Sequence, residues 1–202
     1  MRSTPAHGIA APGLLSPLLA WLRWRRAERL LAGVPRGRIL DVGAGTWPAF
    51  LVRLDFAERV ALERRPQSSP CPGDIEWLTM DLLCDGPWPL SDHSFDAVTM
   101  LAVLEHLPHD RALVALREAR RVLKPGSTLV ATVPSRQGDF LLHGLARVRL
   151  TSRENLDEHH DAATPSSLRG LLLEAGFASP NVETGRFEAG LNLWARARTP
   201  SR

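Results

Sequence analysis

The chain has 202 residues, of which 44% are hydrophobic and 23% are charged. This length and composition are typical of one globular domain with a full core, and they exclude a disordered or fibrous chain. The formal net charge is only +3, and the arginines alternate with nearly as many acids, which indicates a solvated surface and disfavours nucleic acid as a partner.

The two cysteines, Cys71 and Cys84, have neither a metal-binding spacing nor a disulfide framework, which is typical of a reduced, cytosolic protein. No apolar run reaches the ~20 residues that span a bilayer. The leucine-rich start is followed by arginines instead of a small-residue cleavage site, so it lacks the profile of a signal peptide. We therefore expect a cytoplasmic location.

A basic amphipathic helix is predicted over residues 16–32. Ser16 followed by Pro17 is a helix-start pattern, and Gly33 is a typical stop. The helix combines two tryptophans and several leucines with arginines. We favour packing over the mouth of the ligand site, because small domains use their amphipathic helices for the core. The alternative is peripheral contact with an acidic membrane surface.

The rest of the chain is organised around a strand, a glycine turn and a helix within residues 38–54. A short buried strand precedes Gly43 and Gly45, and Pro48 suits the first turn of a helix. Glycines let a nucleotide-sized ligand approach the backbone, and a helix start offers unpaired N–H groups. Asp41 would repel a pyrophosphate and suits a cationic ligand, so the pattern favours S-adenosylmethionine.

Other nucleotide sites fit this turn less well. A dinucleotide fingerprint needs a third glycine where this chain has Pro48, which disfavours a nicotinamide oxidoreductase. A phosphate-binding loop needs a lysine directly after its last glycine, and the only lysine, Lys124, lies far away in the sequence.

Further strands are predicted from short β-rich runs that alternate with helices. The strands cover residues 59–63, 75–78, 95–100, 128–133, 182–187 and 191–198, and the helices cover 111–123 and 165–175. This alternation predicts an α/β fold with a doubly wound parallel sheet, which binds ligands beyond the carboxyl ends of its strands. Glu63 falls at such an end, 20 residues after Gly43, where nucleotide-binding folds place a ribose-binding carboxylate.

Together these segments resemble the class I S-adenosylmethionine-dependent methyltransferases, and among them the bacterial small-molecule type. The motifs lie at residues 41–46, 63, 81–82, 94–96, 103–106 and 122–126, and the resemblance covers residues 36–198. It implies a Rossmann-like sheet of seven mostly parallel strands with an antiparallel last strand and helices on both faces. Residues 1–35 would form an N-terminal tail and helix, and residues 199–202 a C-terminal tail.

The resemblance also implies which positions bind the cofactor, S-adenosylmethionine. Asp41, Gly43 and Gly45 would hold its methionine end, and Glu63 would bind the ribose hydroxyls. Asp81 and the backbone of Leu82 would meet the adenine amino edge, and Leu101 would line the sulfonium side.

Two positions depart from the family pattern. Trp47 stands where many relatives carry a third glycine, and it makes the start of the helix bulky. Some quinone O-methyltransferases bind a divalent ion through a Glu-x-x-Glu-His pattern, whose first glutamate is Ala102 here. Glu105 and His106 alone are too few ligands, so we expect no metal.

Candidate catalytic residues lie in two places. Residues 136–161 connect the fifth strand to the last long helix and are the expected cover of the acceptor pocket. Within them, His159 and His160 stand beside acids and are candidate general bases, because histidine titrates near neutrality. A solvated acidic turn is the alternative. Glu105 and His106 are further candidates, or a structural pair that shapes the entry of the helix.

The sequence thus predicts methyl transfer to a small-molecule, sugar or lipid-linked acceptor, with oxygen favoured as the acceptor atom. Enzymes that methylate nucleic-acid bases carry an Asn/Asp-Pro-Pro-aromatic run after the fourth strand, and residues 99–102 do not match it. The alternative is a non-catalytic binding module with a methyltransferase fold, which Trp47 supports.

Overall fold

One sheet of seven strands forms the centre of the residues that the computed structural model of the protein describes, namely 16–70, 73–83, 86–135 and 164–201. The strands are β1 (Arg38–Val42), β2 (Glu58–Glu63), β3 (Ile75–Thr79), β4 (Phe95–Leu101), β5 (Leu123–Pro134), β6 (Val182–Phe187) and β7 (Asn192–Arg198). Their order across the sheet is β3-β2-β1-β4-β5-β7-β6.

The directions of the strands place most of their carboxyl ends at one edge. β1 pairs in parallel with β2 and β4, and the β2–β3 and β4–β5 pairs are also parallel. β7 is antiparallel to both β5 and β6, so β6 points the same way as the first five strands. Six strands therefore end at one side of the sheet, which we call the carboxyl edge. The predicted doubly wound sheet with an antiparallel last strand is confirmed.

Helices cover both faces of the sheet. They are α1 (Ser16–Leu30), α2 (Ala49–Val52), α3 (His109–Val122) and α4 (Pro165–Glu174). Side chains of α1 and α2 share a buried cluster with Ile39, Ala61, Ala97 and Val130 of the strands, whereas α3 and α4 pack with Leu40, Val98 and Leu129. This alternation follows from the two-residue period of a strand. In the described part of the chain, no helix is long and apolar enough to cross a membrane.

The predicted ends of the helices agree with the structure. α4 begins after Thr164, whose hydroxyl accepts a hydrogen bond from the Ser167 backbone N–H while the Ser167 hydroxyl accepts one from Thr164 N–H. Such a reciprocal cap satisfies two backbone donors at the helix start. The helix is followed by Gly176 with a φ of 97°, a backbone conformation that glycine adopts without strain.

One buried carboxylate joins three strands at the side of the sheet opposite the carboxyl edge, where these strands begin. Asp96 Oδ2 accepts hydrogen bonds from Arg38 N–H and from Lys124 Nζ, each at 2.8 Å, so it connects the starts of β1, β4 and β5. β5 begins at Leu123, five residues before the predicted start, and its register with β4 shifts beside Asp96. The ion pair with Lys124 and this irregular pairing hold residues that the sequence placed in a loop.

Replacing Asp96 by alanine is expected to lower the free energy of unfolding by about 3 kcal/mol, because it leaves a backbone N–H and an ammonium group without their acceptor. Urea unfolding of the two proteins measures this difference. Asp74→Ala, at an exposed position, is the control and is expected to change stability by less than about 0.5 kcal/mol. Equal stability of both variants would refute the structural role of Asp96.

Candidate functional site

Gly43 and Gly45 follow β1, and the surroundings of the two residues favour glycine for different physical reasons. Both have positive φ, 72° at Gly43 and 70° at Gly45. A Cβ added at Gly43 would lie 2.5 Å from Val103 Cγ2, so packing against the loop after β4 excludes a larger residue there. A Cβ at Gly45 would meet no atom within 4 Å. Gly45 therefore borders free space at the carboxyl edge, as close approach of a ligand to the backbone requires.

Glu63, the last residue of β2, holds the glycine turn in place. Its side chain is buried, with the residue only 7% exposed. Its Oε2 accepts a hydrogen bond of 3.0 Å from Gly45 N–H, and its Oε1 accepts one of 3.3 Å from Arg65 N–H. Each carboxylate oxygen can accept more than one hydrogen bond. Glu63 thus has acceptor capacity left for a ligand beside Gly45.

Asp41 of β1 is a second buried carboxyl near the same turn. It is 4% exposed, and its Oδ1 accepts a 2.5 Å hydrogen bond from the Thr99 hydroxyl. Burial raises the pKa of Asp41 to about 7, the Thr99 hydrogen bond acts in the opposite direction, and the negative charge of Glu63 raises the pKa further. A cation bound nearby would favour the ionised form of Asp41.

Asp81 and Leu101 follow the neighbouring strands. Asp81 lies just beyond β3, where its Oδ1 accepts a 2.9 Å hydrogen bond from Leu83 N–H, and Met80 N–H donates to the Glu63 carbonyl at 3.0 Å. Leu101 is the half-buried last residue of β4. The next residue, Ala102, has a φ of 59°, which is unusual without glycine. The carboxyl edge thus brings the predicted cofactor positions together, and Leu82 packs beside them against the α3 and α4 core.

The helix after the glycine turn is much shorter than a typical helix of an α/β fold. It begins after Pro48, as predicted, but α2 has only four residues. The dipole of a helix is the sum of its aligned peptide units, so the unpaired N–H groups that the sequence predicted at this helix start have only one turn behind them. The N–H group that matters at this turn is that of Gly45, which points to Glu63.

Trp47 does not fill the space beside Gly45. The residue is 40% exposed, and no atom of it lies within 4 Å of a Cβ built at Gly45. The bulky residue at the third glycine position therefore leaves that side of the turn accessible.

The candidate catalytic residues are only partly described. Glu105 and His106 lie half-buried in a single 3-10 turn, Leu104–His106, directly after β4, and both take part in interactions there. His159 and His160 lie outside the described residues, as do residues 136–161 as a whole. The part of the chain that is described contains no group of three or more His, Cys, Asp or Glu side chains able to hold a metal ion.

Sequence reasoning missed Thr99 as a partner of Asp41. The two residues are 58 positions apart and become direct neighbours through the parallel pairing of β1 with β4. A polar residue in the otherwise apolar second half of β4 was the available signal. This signal predicts that Thr99 has a polar partner in the core, but it does not predict that the partner is Asp41.

Comparison with known proteins identifies the family. The family described as "Methyltransferase domain" matches residues 31–131, half of the chain. A SAM-dependent methyltransferase from Archaeoglobus fulgidus has the same fold, with a TM-score of 0.67, 18% identity, and coverage of 91% of this chain and 95% of that one. The chain therefore belongs to the methyltransferase-domain family, within the class I superfamily whose cofactor is S-adenosylmethionine.

Two curated relatives extend the comparison. A demethylmenaquinone methyltransferase from Tropheryma whipplei (strain Twist) is 31% identical over 140 residues, which are 64% of this chain and 56% of that protein. A ubiquinone biosynthesis O-methyltransferase from Xanthomonas campestris pv. campestris (strain B100) is 28% identical over 184 residues, 84% of this chain and 73% of the relative. The chain thus spans little more than half the length of the first relative.

Proposed function

We propose that this protein transfers a methyl group from S-adenosylmethionine to an oxygen of a small-molecule acceptor. The observation that carries the proposal is the pair of buried carboxyls, Asp41 and Glu63, at the carboxyl edge beside the free space at Gly45. Glu63 already accepts two backbone hydrogen bonds and lies 3.5 Å from Arg65 Nε. Asp41 accepts the Thr99 hydrogen bond. A ligand with ribose hydroxyls and a positive charge would use the remaining acceptor capacity of Glu63 and favour the ionised form of Asp41.

Each residue of the carboxyl edge is matched to one part of the cofactor according to its position along that edge. Glu63 would accept hydrogen bonds from the ribose hydroxyls, and Asp41 would face the amino group at the methionine end. The remaining positions would be Gly43 and Gly45 beside the methionine end, Asp81 and Leu82 at the adenine edge and Leu101 near the sulfonium. When bound, the cofactor supplies an already activated methyl group. The protein then has to align the acceptor and exclude water.

The nature of the acceptor is supported by the relatives. Both are named for small quinone-related molecules, and the match to the O-methyltransferase covers the larger share of this chain. A sugar or another lipid-linked acceptor remains within the same proposal. A hydroxyl acceptor must lose a proton, so a general base is required. His159 and His160 are our candidates for this base, and the Glu105–His106 pair is a further candidate.

A non-catalytic module that binds the cofactor or a partner is the second candidate function, and its support is the bulky Trp47 at the third glycine position. Such a module would need no base and no acceptor pocket. It would bind S-adenosylmethionine without consuming it.

Turnover separates the two functions. The purified protein is incubated with S-adenosylmethionine and a panel of hydroxylated aromatic acceptors, including demethylated quinols. S-adenosylhomocysteine and the methylated product are measured by mass spectrometry, and the site of methylation by NMR. We expect equal amounts of both products and a new methoxy group. Cofactor binding without turnover across the panel would support the module, and a new C-methyl group would refute oxygen as the acceptor atom.

The same assay tests the base. His159→Ala and His160→Ala are each compared with the unaltered protein, and we expect one of them to lower kcat at least 100-fold while cofactor binding is retained. Unchanged turnover in both variants would remove the two histidines from the mechanism and leave the Glu105–His106 pair as the candidate.

A further inference from the structure

Helix α1 runs from the carboxyl edge toward the opposite edge of the sheet. The Arg26 guanidinium lies 5.5 Å from the centre of the Trp194 ring and 5.6 Å from that of Phe187, two residues near the carboxyl edge. Leu30 and Leu31, further along, share a buried cluster with Ile39, and β1 begins at Arg38, eight residues after the end of α1. At 1.5 Å per residue, the residues of α1 that precede Arg26 therefore lie at or beyond the carboxyl edge, on the same side as the cofactor site.

One stripe of this helix faces solvent. Leu18 is 51% exposed and Trp21 is 37% exposed, and Arg25 and Arg29 are exposed as well. The spacing of these four residues places them along one side of a helix. The Arg25 guanidinium lies 4.8 Å from the centre of the Trp21 ring. We call these four residues the outer stripe.

The acid on α1 does not neutralise the outer stripe. Glu28 pairs with Arg53 at 3.5 Å, on the side of the helix that faces α2. Within the described residues, no carboxylate lies within 4.0 Å of the guanidinium nitrogens of Arg25, Arg26 or Arg29. The stripe therefore combines an exposed apolar end with a basic end that no described carboxylate pairs.

A cavity adjoins the basic end of the stripe. It has a volume of about 250 Å³ and is lined by Leu22, Arg25, Arg26, Arg29, Phe187 and Glu188. Among the described residues that line it, Glu188 has the one carboxyl, which accepts a hydrogen bond from Asn192, and three residues are arginines, so this described lining has a net positive charge. Arginine binds phosphate oxygens through two parallel hydrogen bonds. A group with a phosphate is thus the chemistry that matches this cavity.

We propose that the outer stripe docks the protein on an anionic phospholipid surface. Leu18 and Trp21 enter the interface between headgroups and acyl chains, where an aromatic ring with a polar N–H is favoured. Arg25 and Arg29 contact lipid phosphates, and the cavity receives one headgroup. The docked orientation turns the carboxyl edge toward the lipid. The proposal does not depend on the identity of the methyl acceptor.

A second copy of the chain is a poorer occupant of this surface. In a two-fold contact between two outer stripes, the arginines of the two copies meet if the helices run parallel, and they lie against Leu18 and Trp21 of the other copy if the helices run antiparallel. Repulsion between like charges opposes the first arrangement, and burial of unpaired arginines opposes the second. An anionic surface has the complementary charge and also accepts the apolar end of the stripe.

Co-sedimentation with vesicles tests the proposal. Vesicles of phosphatidylcholine alone are compared with vesicles that contain phosphatidylglycerol. We expect binding to the anionic vesicles, weak binding to the neutral ones, and loss of binding at high salt. Arg25→Gln combined with Arg29→Gln is expected to weaken binding about 30-fold, since each basic residue near an anionic surface contributes about fivefold. Leu18→Ala combined with Trp21→Ala is expected to abolish binding.

Matched controls lie on the opposite face of the sheet. Val114→Ala combined with Leu173→Ala removes two exposed apolar side chains of α3 and α4, and Arg117→Gln removes an exposed arginine of α3. Both controls are expected to bind anionic vesicles as the unaltered protein does, and circular dichroism verifies that all variants are folded. Absence of vesicle binding, equal binding to neutral vesicles or equal loss in the controls would overturn the proposal. So would inorganic phosphate binding without vesicle binding, or a dimer that the Leu18 and Trp21 variant disrupts.

Discussion

Replacing Glu63 by glutamine is expected to weaken the binding of S-adenosylmethionine about 100-fold. The substitution preserves the size of the side chain and removes its charge. One of the two acceptor oxygens becomes an amide N–H₂ group, which faces either the Gly45 N–H, the Arg65 N–H or the ligand. Loss of a charged acceptor in a buried site costs about 3 kcal/mol, which corresponds to about 100-fold in affinity. Isothermal titration calorimetry with the cofactor measures the change.

Glu76→Gln is the matched control for this substitution. Glu76 lies in the first half of β3, away from the carboxyl edge, and pairs with Arg38 on the surface. The control is expected to bind S-adenosylmethionine with unchanged affinity. A folded Glu63→Gln protein that binds the cofactor as tightly as the control does would refute the ribose-binding role of Glu63.

Replacing Asp41 by asparagine is expected to change how stability depends on pH. Burial raises the pKa of Asp41 from 3.8 to about 7 in the folded protein. Between these pH values the folded state binds more protons than the unfolded state, so the free energy of unfolding falls as the pH rises, by at most about 1.4 kcal/mol per pH unit. Asparagine carries no charge and can still accept the Thr99 hydrogen bond, so the variant lacks this loss.

Urea unfolding between pH 4 and pH 8 checks the expectation. The free energy of unfolding of Asp41→Asn, relative to that of the unaltered protein, should rise through this range and be positive at pH 8. Asp55→Asn, at an exposed position, controls for the removal of a surface carboxyl and should leave the pH profile unchanged. A parallel pair of profiles for Asp41→Asn and the unaltered protein would show that the pKa of Asp41 is the same in the folded and unfolded states.

Cofactor binding by the Asp41 variant provides a second readout. S-adenosylmethionine and S-adenosylhomocysteine share the amino group at the methionine end, and a positive charge near Asp41 favours its ionised form. Binding of both ligands to the unaltered protein should therefore strengthen as the pH rises toward 7. Asp41→Asn should lack this pH dependence for both ligands. Gained stability together with lost affinity would identify Asp41 as a residue retained for binding.

The amino-acid sequence by itself determined the order of the strands and helices and the acids that follow them. Short β-rich runs and helix caps are local patterns, and in a parallel sheet the carboxyl ends of the strands share one edge. Placing Asp41, Glu63 and Leu101 at one edge therefore needed no coordinates. The helix at residues 165–175 and the antiparallel direction of β7 were also predicted, the first from a local sequence pattern and the second from the family resemblance.

Contacts between distant parts of the chain were decided only by the tertiary structure. The Thr99 hydroxyl reaches Asp41 through the register of β1 with β4, and Gly45 N–H reaches Glu63 from a turn that the sequence predicted to lie close to a ligand, without this hydrogen bond. Burial, the Thr99 hydroxyl and the charge of Glu63 set the pKa of Asp41, and none of these three influences follows from residue type. The length of α2 and the outward direction of Leu18 and Trp21 likewise depend on which neighbours fill each face. Periodicity tells which side of an element is apolar, whereas packing decides what that side meets.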